Sequence, residues 1–379
     1  MGISTLLRKV MFRIIHLPVA KDLAKLTYRS LCSKKSLEMD AKQYHSVTAN
    51  LHPRPTGRAL WAENEQPVWG PAKYDLSIII PFYKTEQYAH NCIQSVLSQE
   101  TTFHYELILI NDGSPDNCPA ILDEYDSLTN VTVIHQPNQG QSAARNHGLQ
   151  IAAGNYIMFL DSDDLLCQGS IQTLMNSALE NDADIVEGSY QNMSQNGRLK
   201  QLVLHSEKLG TQGEGMFGFP WGKVFRRSLF TNICFPQGYW FEDTIIAALL
   251  FPVAPVTKTV SHLVVMYRRN LSGISLSSKK SPKCIDAYYI MEEVFSSINQ
   301  LGLPINRKGF LLQLGPYLNH RIQSLSKQET QAAFLLAADL AQKYDLTSNL
   351  EGASYYQQQL AEALAHRRYK QWKWVCTLM

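Results

Sequence analysis

Three short polar clusters hold side chains suited to chemistry in this 379-residue chain: Pro81-Phe-Tyr83-Lys-Thr-Glu86, Asn111-Asp112-Gly-Ser-Pro-Asp116 and Asp161-Ser162-Asp163-Asp164. Closely spaced carboxylates repel one another unless a cation lies between them, and hard cations such as Mg²⁺ or Mn²⁺ are held by one or two carboxylates together with phosphate oxygens. The Asp161/Asp163 pair therefore predicts a divalent-cation site. Each cluster also has a plainer reading: Asp112-Gly-Ser-Pro makes a good turn, and Asp161-Ser-Asp163-Asp164 suits a helix cap. Their placement argues against those readings, because each follows directly on an apolar run that reads as a strand.

The elements that must position the clusters alternate. Strands are predicted over Leu76–Ile80, Glu106–Ile110, Val131–Ile134, Tyr156–Leu160 and Ile185–Tyr190. Between them, helical spacing puts Ala89, Cys92, Ile93, Val96 and Leu97 on one face, and Ile171, Leu174, Met175, Ala178 and Leu179 on another. Further helices are expected from about 119 to 128 and 142 to 152. This alternation implies an α/β, Rossmann-like, mainly parallel sheet with right-handed crossovers, covered by helices on both faces. Ligands of such sheets bind beyond the carboxyl ends of the strands, which is where the three clusters fall.

The flanks differ. Residues 1–35 carry eight Lys or Arg against the single acid Asp22, and Leu7, Val10, Met11, Ile14 and Ile15 share a helical face. A basic amphipathic helix lying on an anionic membrane surface is expected, with docking on the following domain and a transit peptide as alternatives. Residues 36–74, with Pro53, Pro55, Pro67 and Pro71, read as a linker or extension. A domain spans 75–280, divided at about 190, and a helical C-terminal region covers 281–379. The segment from His366 to Trp374, rich in bases and aromatics, suits either a second interfacial contact or a helix end whose tryptophans pack on the domain. The longest apolar stretch, Thr244 to Val256, is broken by Pro252 and Pro255 and is too short to span a bilayer. A formal net charge of +2 argues against nucleic acid as a partner. Seven scattered cysteines without a Cys-x-x-Cys pair suit reduced thiols in a cytosol. The expected location is cytoplasmic, peripheral at the inner face of the cell membrane.

Over residues 75–275 the chain resembles the family-two inverting glycosyltransferases of bacterial surface-polysaccharide synthesis, which have the GT-A fold. The motifs are Ser77-Ile-Ile-Ile-Pro81-x-Tyr83, Ile110-Asn-Asp112-Gly-Ser, Gln141-Ser-Ala-Ala-Arg145-Asn146-x-Gly148, Phe159-Leu-Asp161-Ser-Asp163-Asp164, Trp221-Gly-Lys223-Val-Phe-Arg-Arg and Glu242-Asp243. The resemblance implies that Pro81 and Tyr83, with Glu86 in the same cluster, line a nucleobase pocket, that Asp112 bonds the base, and that Arg145 lies near the nucleotide. It implies that Asp161, Ser162 and Asp163 serve ribose and metal, with Asp163 the preferred ligand. Trp221 and Lys223 fall near the acceptor or the diphosphate. In Tyr267–Ser275 the phosphate contacts are to be chosen among Arg268, Arg269, Ser272 and Ser275, of which Arg269 and Ser275 are preferred. Glu242-Asp243 matches an acidic pair whose aspartate is the general base, although two acids also suit the start of a helix.

The expected activity is transfer of a hexosyl or N-acetylhexosaminyl group from a nucleotide diphosphate, UDP-linked, to a hydroxyl of a glycan or lipid-linked acceptor, with Mn²⁺ or Mg²⁺ as cofactor. Two rivals are a catalytically silent nucleotide-sugar binding or scaffold protein and a sugar nucleotidyltransferase. The second should show a glycine-rich phosphate loop after its first strand, where this chain has Pro81-Phe-Tyr-Lys.

Overall fold

The structure, a computed structural model, describes residues 36–39, 41–270, 273 and 280–379. The basic segment 1–35 and the loop serines Ser272 and Ser275 lie outside the described residues. The chain divides into two compact units, one of residues 52–305 and one of residues 1–51 with 306–379.

The first half of the 52–305 unit alternates as the sequence predicts: β1 (Tyr74–Phe82), α1 (Glu86–Leu97), β2 (Tyr105–Asp112), α2 (Cys118–Asp123), β3 (Val131–Gln136), α3 (Gln141–Ile151) and β4 (Gly154–Phe159). These strands are all parallel, in the order β3-β2-β1-β4. Ile78, Ile79, Ile80 and Leu107 to Ile110 are wholly buried, so both sheet faces are covered, as parallel strands require. Helix α1 turns Ala89, Cys92, Ile93 and Val96 inward. Gly148 lets α3 lie close on the sheet, since a Cβ there would stand 2.5 Å from Ile79 Cγ2. The chain leaves β1 toward β2 on one side and reaches β4 on the other, so a crevice opens between the carboxyl ends of β1 and β4.

The second half departs from simple alternation. It comprises β5 (Leu165–Leu166), α4 (Ser170–Glu180), β6 (Ile185–Ser194), β7 (Leu199–Val203), β8 (Lys208–Gly210), β9 (Lys223–Arg226) and β10 (Thr257–Arg269). The predicted series ends at Tyr190, whereas the sheet continues to ten strands. Strand β9 inserts antiparallel between β4 and β6, and β10 runs parallel to β6. Strands of three or four residues are too short for periodicity to reveal, and β10 shifts register twice against β6 between Thr259 and Val265.

Of the two readings of residues 36–74, the part from 52 on packs on this unit as an extension: Leu60 bridges Ile233, Trp61 Nε1 donates to the Phe230 carbonyl at 2.9 Å, and Trp69 Nε1 donates to the Leu149 carbonyl at 2.8 Å. Helix α5 (Asp286–Leu301) also belongs to this unit. Its buried Asp286 accepts from Trp240 N at 2.9 Å, and its Glu293 accepts from Ala59 N at 3.0 Å.

The second unit is helical over Ala41–Ala49, Arg307–Leu312, Leu318–Arg321, Lys327–Lys343, Tyr355–Ala365 and Tyr369–Leu378. Ser326 with Glu329, and Ser354 with Gln357, form capping boxes that fix two helix starts. Trp372 is wholly buried, packs on Phe334 and donates from Nε1 to the Leu314 carbonyl at 3.0 Å. Of the two readings of residues 366–374, core packing holds for this tryptophan. Among the described residues no helix is long and apolar enough to cross a membrane.

Candidate active site

The three sheet-edge clusters are built on β1, β2 and β4. After β1, with Pro81 still inside the strand, Tyr83 is 42% exposed and Lys84 takes a left-handed turn (φ 56°). The Lys84 ammonium lies 5.1 Å from the Tyr83 ring centre. Glu86 and Asp116 lock the first two loops together: Glu86 accepts from Asn117 N at 2.7 Å, and Asp116 accepts from Glu86 N at 3.0 Å.

At the end of β2, Asp112 is 3% exposed and its carboxylate is already engaged. It accepts from Gln136 Nε2 at 2.8 Å, Gln139 N at 2.9 Å and Gly140 N at 2.8 Å. The side chain expected on the nucleobase thus shapes the loop from 136 to 140.

The acids after β4 have three different surroundings. Asp161 Oδ1 accepts from Arg145 Nη2 at 2.9 Å and Gln141 Nε2 at 3.0 Å. Asp163 Oδ2 accepts from Asn270 Nδ2 at 3.0 Å. Burial, reinforced by repulsion from Asp161, pushes the Asp163 carboxyl up to about 6. Asp164 is wholly buried; its Oδ1 accepts from Arg268 N at 2.6 Å, and its Oδ2 has no hydrogen-bond partner. Burial first, then Asp163 and Asp161, hold Asp164 well above the usual carboxylate range. Ser162, also buried, accepts from Thr85 Oγ1 at 3.0 Å, tying this loop to the one after β1.

Glu242 and Asp243 stand just ahead of the helical turns that begin at Thr244. Phe241 before them has φ 64°, a left-handed conformation strained for an aromatic residue. Arg145 reaches this pair from α3: its Nη1 donates to Glu242 Oε1 at 2.8 Å while Nη2 holds Asp161. One buried guanidinium thus joins Asp161 at the β4 edge to Glu242, 81 residues downstream.

The acceptor-side residues are sorted differently from expectation. Lys223 is wholly buried, with Nζ 2.9 Å from Glu187 Oε1 directly across from it on β6. Burial holds this ammonium below its usual value despite the pull of Glu187. Lys223, expected near the acceptor or the diphosphate, thus spends its ammonium on Glu187 within the sheet. Trp221 is 6% exposed and lies in a stacked series of rings with Phe219 and Tyr267, each 4.8 Å away. Arg268 is spent on the scaffold, donating to the Asp163 carbonyl at 2.7 Å and the Gln195 carbonyl at 2.9 Å, whereas Arg269 is exposed.

Two contributors escaped the sequence reading, Asn270 and Glu187, and two others, Gln141 and Asn146, stood in the Gln141–Gly148 motif without an assigned role. Glu187 had a signal, a lone acid within the apolar strand Ile185-Val-Glu-Gly-Ser, matched by the lone base Lys223 in Trp-Gly-Lys-Val-Phe. The roles of the three amides were not legible, since their partners lie 20 to 107 residues away.

Residues 77–240 match the model of glycosyl transferase family 2. The chain is 30% identical over 218 residues to the glycosyltransferase GlyG of Streptococcus pneumoniae, covering 52% of this chain and 72% of that protein. It is 32% identical over 216 residues to the uncharacterized glycosyltransferase EpsJ of Bacillus subtilis, covering 53% of this chain and 62% of the relative. In fold it is similar to the crystal structure of Staphylococcus aureus TarS 1–349 in complex with UDP-GlcNAc, with a TM-score of 0.62 and 18% identity over 79% of this chain and 89% of that one. The sheet is of the same GT-A type. Its motifs, its sheet edge and these relatives lead to one assignment: the chain belongs to glycosyl transferase family 2.

Proposed function

We propose that the protein is an inverting, metal-dependent glycosyltransferase that moves a sugar from a UDP-linked donor to a hydroxyl of a glycan or lipid-linked acceptor in polysaccharide synthesis. The observation that carries this reading is the buried Asp161–Arg145–Glu242 bridge, which draws two acidic clusters distant in sequence to one guanidinium beside the β1/β4 crevice. The family supports transfer, and the fold neighbour TarS, solved with UDP-GlcNAc and with UDP, supports the donor class.

In this reading Pro81 and Tyr83 wall the nucleobase pocket and Asp112 shapes its floor through the 136–140 loop. Asp161 and Ser162 face the ribose. Asp243 takes the proton of the acceptor hydroxyl as that oxygen attacks the anomeric carbon opposite the departing diphosphate, and a single displacement inverts the centre. Glu242 fixes the aspartate's backbone by its bond to Arg145. This reading assigns Arg269, which is exposed, to the diphosphate, together with Ser275.

A divalent cation fits the residues present. Asp163 and Asp161 offer hard oxygens, and the unpartnered buried Oδ2 of Asp164 marks a place where negative charge lacks compensation. Among the described residues no three His, Cys, Asp or Glu side chains converge on one point. The protein would then supply one or two carboxylates and the diphosphate and water the rest, the usual Mg²⁺ pattern. Bound there, Mn²⁺ or Mg²⁺ neutralises charge on the leaving diphosphate.

The test is UDP release from a panel of nucleotide sugars, with and without Mn²⁺. Metal-dependent turnover of one donor is expected; donor binding without turnover in any acceptor mixture would favour the silent binding protein. The basic segment 1–35 is assigned to an anionic membrane surface at the cytosolic face, so its deletion should release the protein from anionic vesicles.

A further inference from the structure

Helix α3 makes three side-chain bonds toward the site, and they fall on two targets. Gln141 Nε2 and Arg145 Nη2 both hold Asp161 Oδ1, at 3.0 and 2.9 Å. Arg145 Nη1 holds Glu242 at 2.8 Å. The next residue, Asn146, clamps the backbone seven residues upstream of Glu242 from both sides: its Nδ2 donates to the Phe235 carbonyl at 2.8 Å and its Oδ1 accepts from Phe235 N at 2.9 Å. The Arg145 guanidinium lies 5.1 Å from the Phe235 ring centre as well. Arg145 is 1% and Asn146 4% exposed.

From this arrangement we infer that Arg145 and Asn146 are positioning residues rather than nucleotide contacts: together they dock the 235–243 segment, which carries Glu242 and Asp243, at a fixed distance from the Asp161 end of β4. This deepens the function proposed above and rests on it for its catalytic consequence. The physical case has three parts. A guanidinium with both terminal nitrogens on carboxylates, its remaining Nε–H buried without a partner and almost no exposed surface presents little to a ligand. Its fork geometry allows two carboxylates to be held at once, which a lysine ammonium cannot reproduce with the same orientation. The held segment is strained at Phe241 (φ 64°), and strained backbone persists only where its surroundings over-determine it. Arg145 and Asn146 supply that determination from one turn of one helix, and Gly148 keeps the helix seated on β1.

The inference separates binding from turnover. A positioning residue acts on kcat because small misplacement of the base is costly, on the order of 10²-fold for about 1 Å, while the nucleotide pocket stays as it was. The full-length protein would be made as Arg145→Lys and Asn146→Ala, each checked for cooperative thermal unfolding. UDP affinity would be measured by calorimetry, turnover with the donor selected by the panel, and amide hydrogen exchange over peptides covering 235–246.

Arg145→Lys should lower kcat about 10- to 100-fold, with the UDP dissociation constant within about twofold of the parent's. Asn146→Ala, which removes the clamp without touching the charged bridge, should show the same kcat-selective loss. Both should speed exchange in 235–246 while β1 and β2 stay protected. A fall in UDP affinity parallel to the fall in kcat/KM would overturn the inference and restore Arg145 as a nucleotide contact. Unchanged exchange in 235–246 would overturn it as well, whether or not the protein turns over any donor. A parent that neither binds UDP nor releases it from any sugar nucleotide would instead sink the functional reading, leaving the exchange result to decide the clamp.

Discussion

The two halves of the 52–305 unit place most of their buried charge differently. From Tyr74 to Asp164 the strands are mainly apolar; Glu106 near the start of β2, which accepts from Ser77 Oγ and Ala153 N, is the buried acid within them, and the clustered acids gather at or beyond the carboxyl ends, where Asp161 and Asp163 keep some exposure. From Ile185 to Arg269 the charge sits within the sheet: Glu187 on β6 faces Lys223 on β9, both nearly inaccessible, with His205 Nε2 a further 3.4 Å from Glu187. The Glu187 carboxylate also accepts from Phe217 N at 3.0 Å, pinning the aromatic loop that leads to Trp221. In the proposed reading, carboxylates beyond the end of β4 serve a ligand that brings its own charge, whereas Glu187, held mid-strand, serves the fold. The same residue types therefore carry opposite expectations for mutation.

The largest effect should come from Asp243, next to the Glu242 end of the bridge and only partly buried. Asp243→Asn should cut turnover by about 10³- to 10⁴-fold with UDP affinity retained, the magnitude of losing a positioned general base. Steady-state kinetics beside calorimetry will read both. In the other half, Lys223→Met should cost stability instead, about 3–5 kcal/mol, because it strands the Glu187 carboxylate in the interior. Urea unfolding will show it, and adding Glu187→Gln should recover most of the loss while UDP affinity never changes. A drop in UDP affinity at Lys223 would erase the contrast between the halves.

Asp163 tests the contrast from the other side, since it should serve activity at the expense of the fold. Its native carboxyl titrates near 6, against 3.8 for the ordinary group, so the unfolded chain releases this proton first as pH rises. The folded state therefore loses stability from this group as pH rises from about 3.8 through about 6. Asp163→Asn removes that penalty: in the absence of divalent cations it should gain on the order of 3 kcal/mol above pH 6 and nothing near pH 3.5. The same variant should lose most of its transfer activity. Thermal unfolding at the two pH values gives the answer, and a destabilised variant at neutral pH would show that Asp163 is structural. The smallest effect is expected at Arg269: its replacement by alanine should weaken UDP about tenfold, roughly 1.4 kcal/mol, and leave UMP nearly unaffected.

Legibility followed the same division. The parallel half could be read because each buried strand is a run such as Ser77-Ile-Ile-Ile and each helix keeps an apolar face, so local pattern and tertiary role agree. The acidic clusters were recognisable because they follow those runs directly. Lys223 was misread because its motif position says nothing of the Glu187 opposite, a partner that only the antiparallel insertion of β9 supplies. Residues 36–74 read as either a linker or an extension because the order of 52–74 comes from single contacts, such as the Trp61 and Trp69 indoles on distant carbonyls, with no periodicity to announce them. The role of Asn146, though the residue stands in a motif, was hidden for a related reason: its amide serves the backbone at Phe235, 89 residues away.

The central claim is that one displacement at this sheet edge joins the sugar to a hydroxyl activated by Asp243. Its most direct test is the anomeric configuration of the product linkage, read by proton NMR from a reaction of the full-length protein with the donor that the panel selects. The account predicts the configuration opposite to that in the donor. Retention would contradict it, because retention in a two-step reaction needs a covalent intermediate and a nucleophile, a role this arrangement does not give to Asp243.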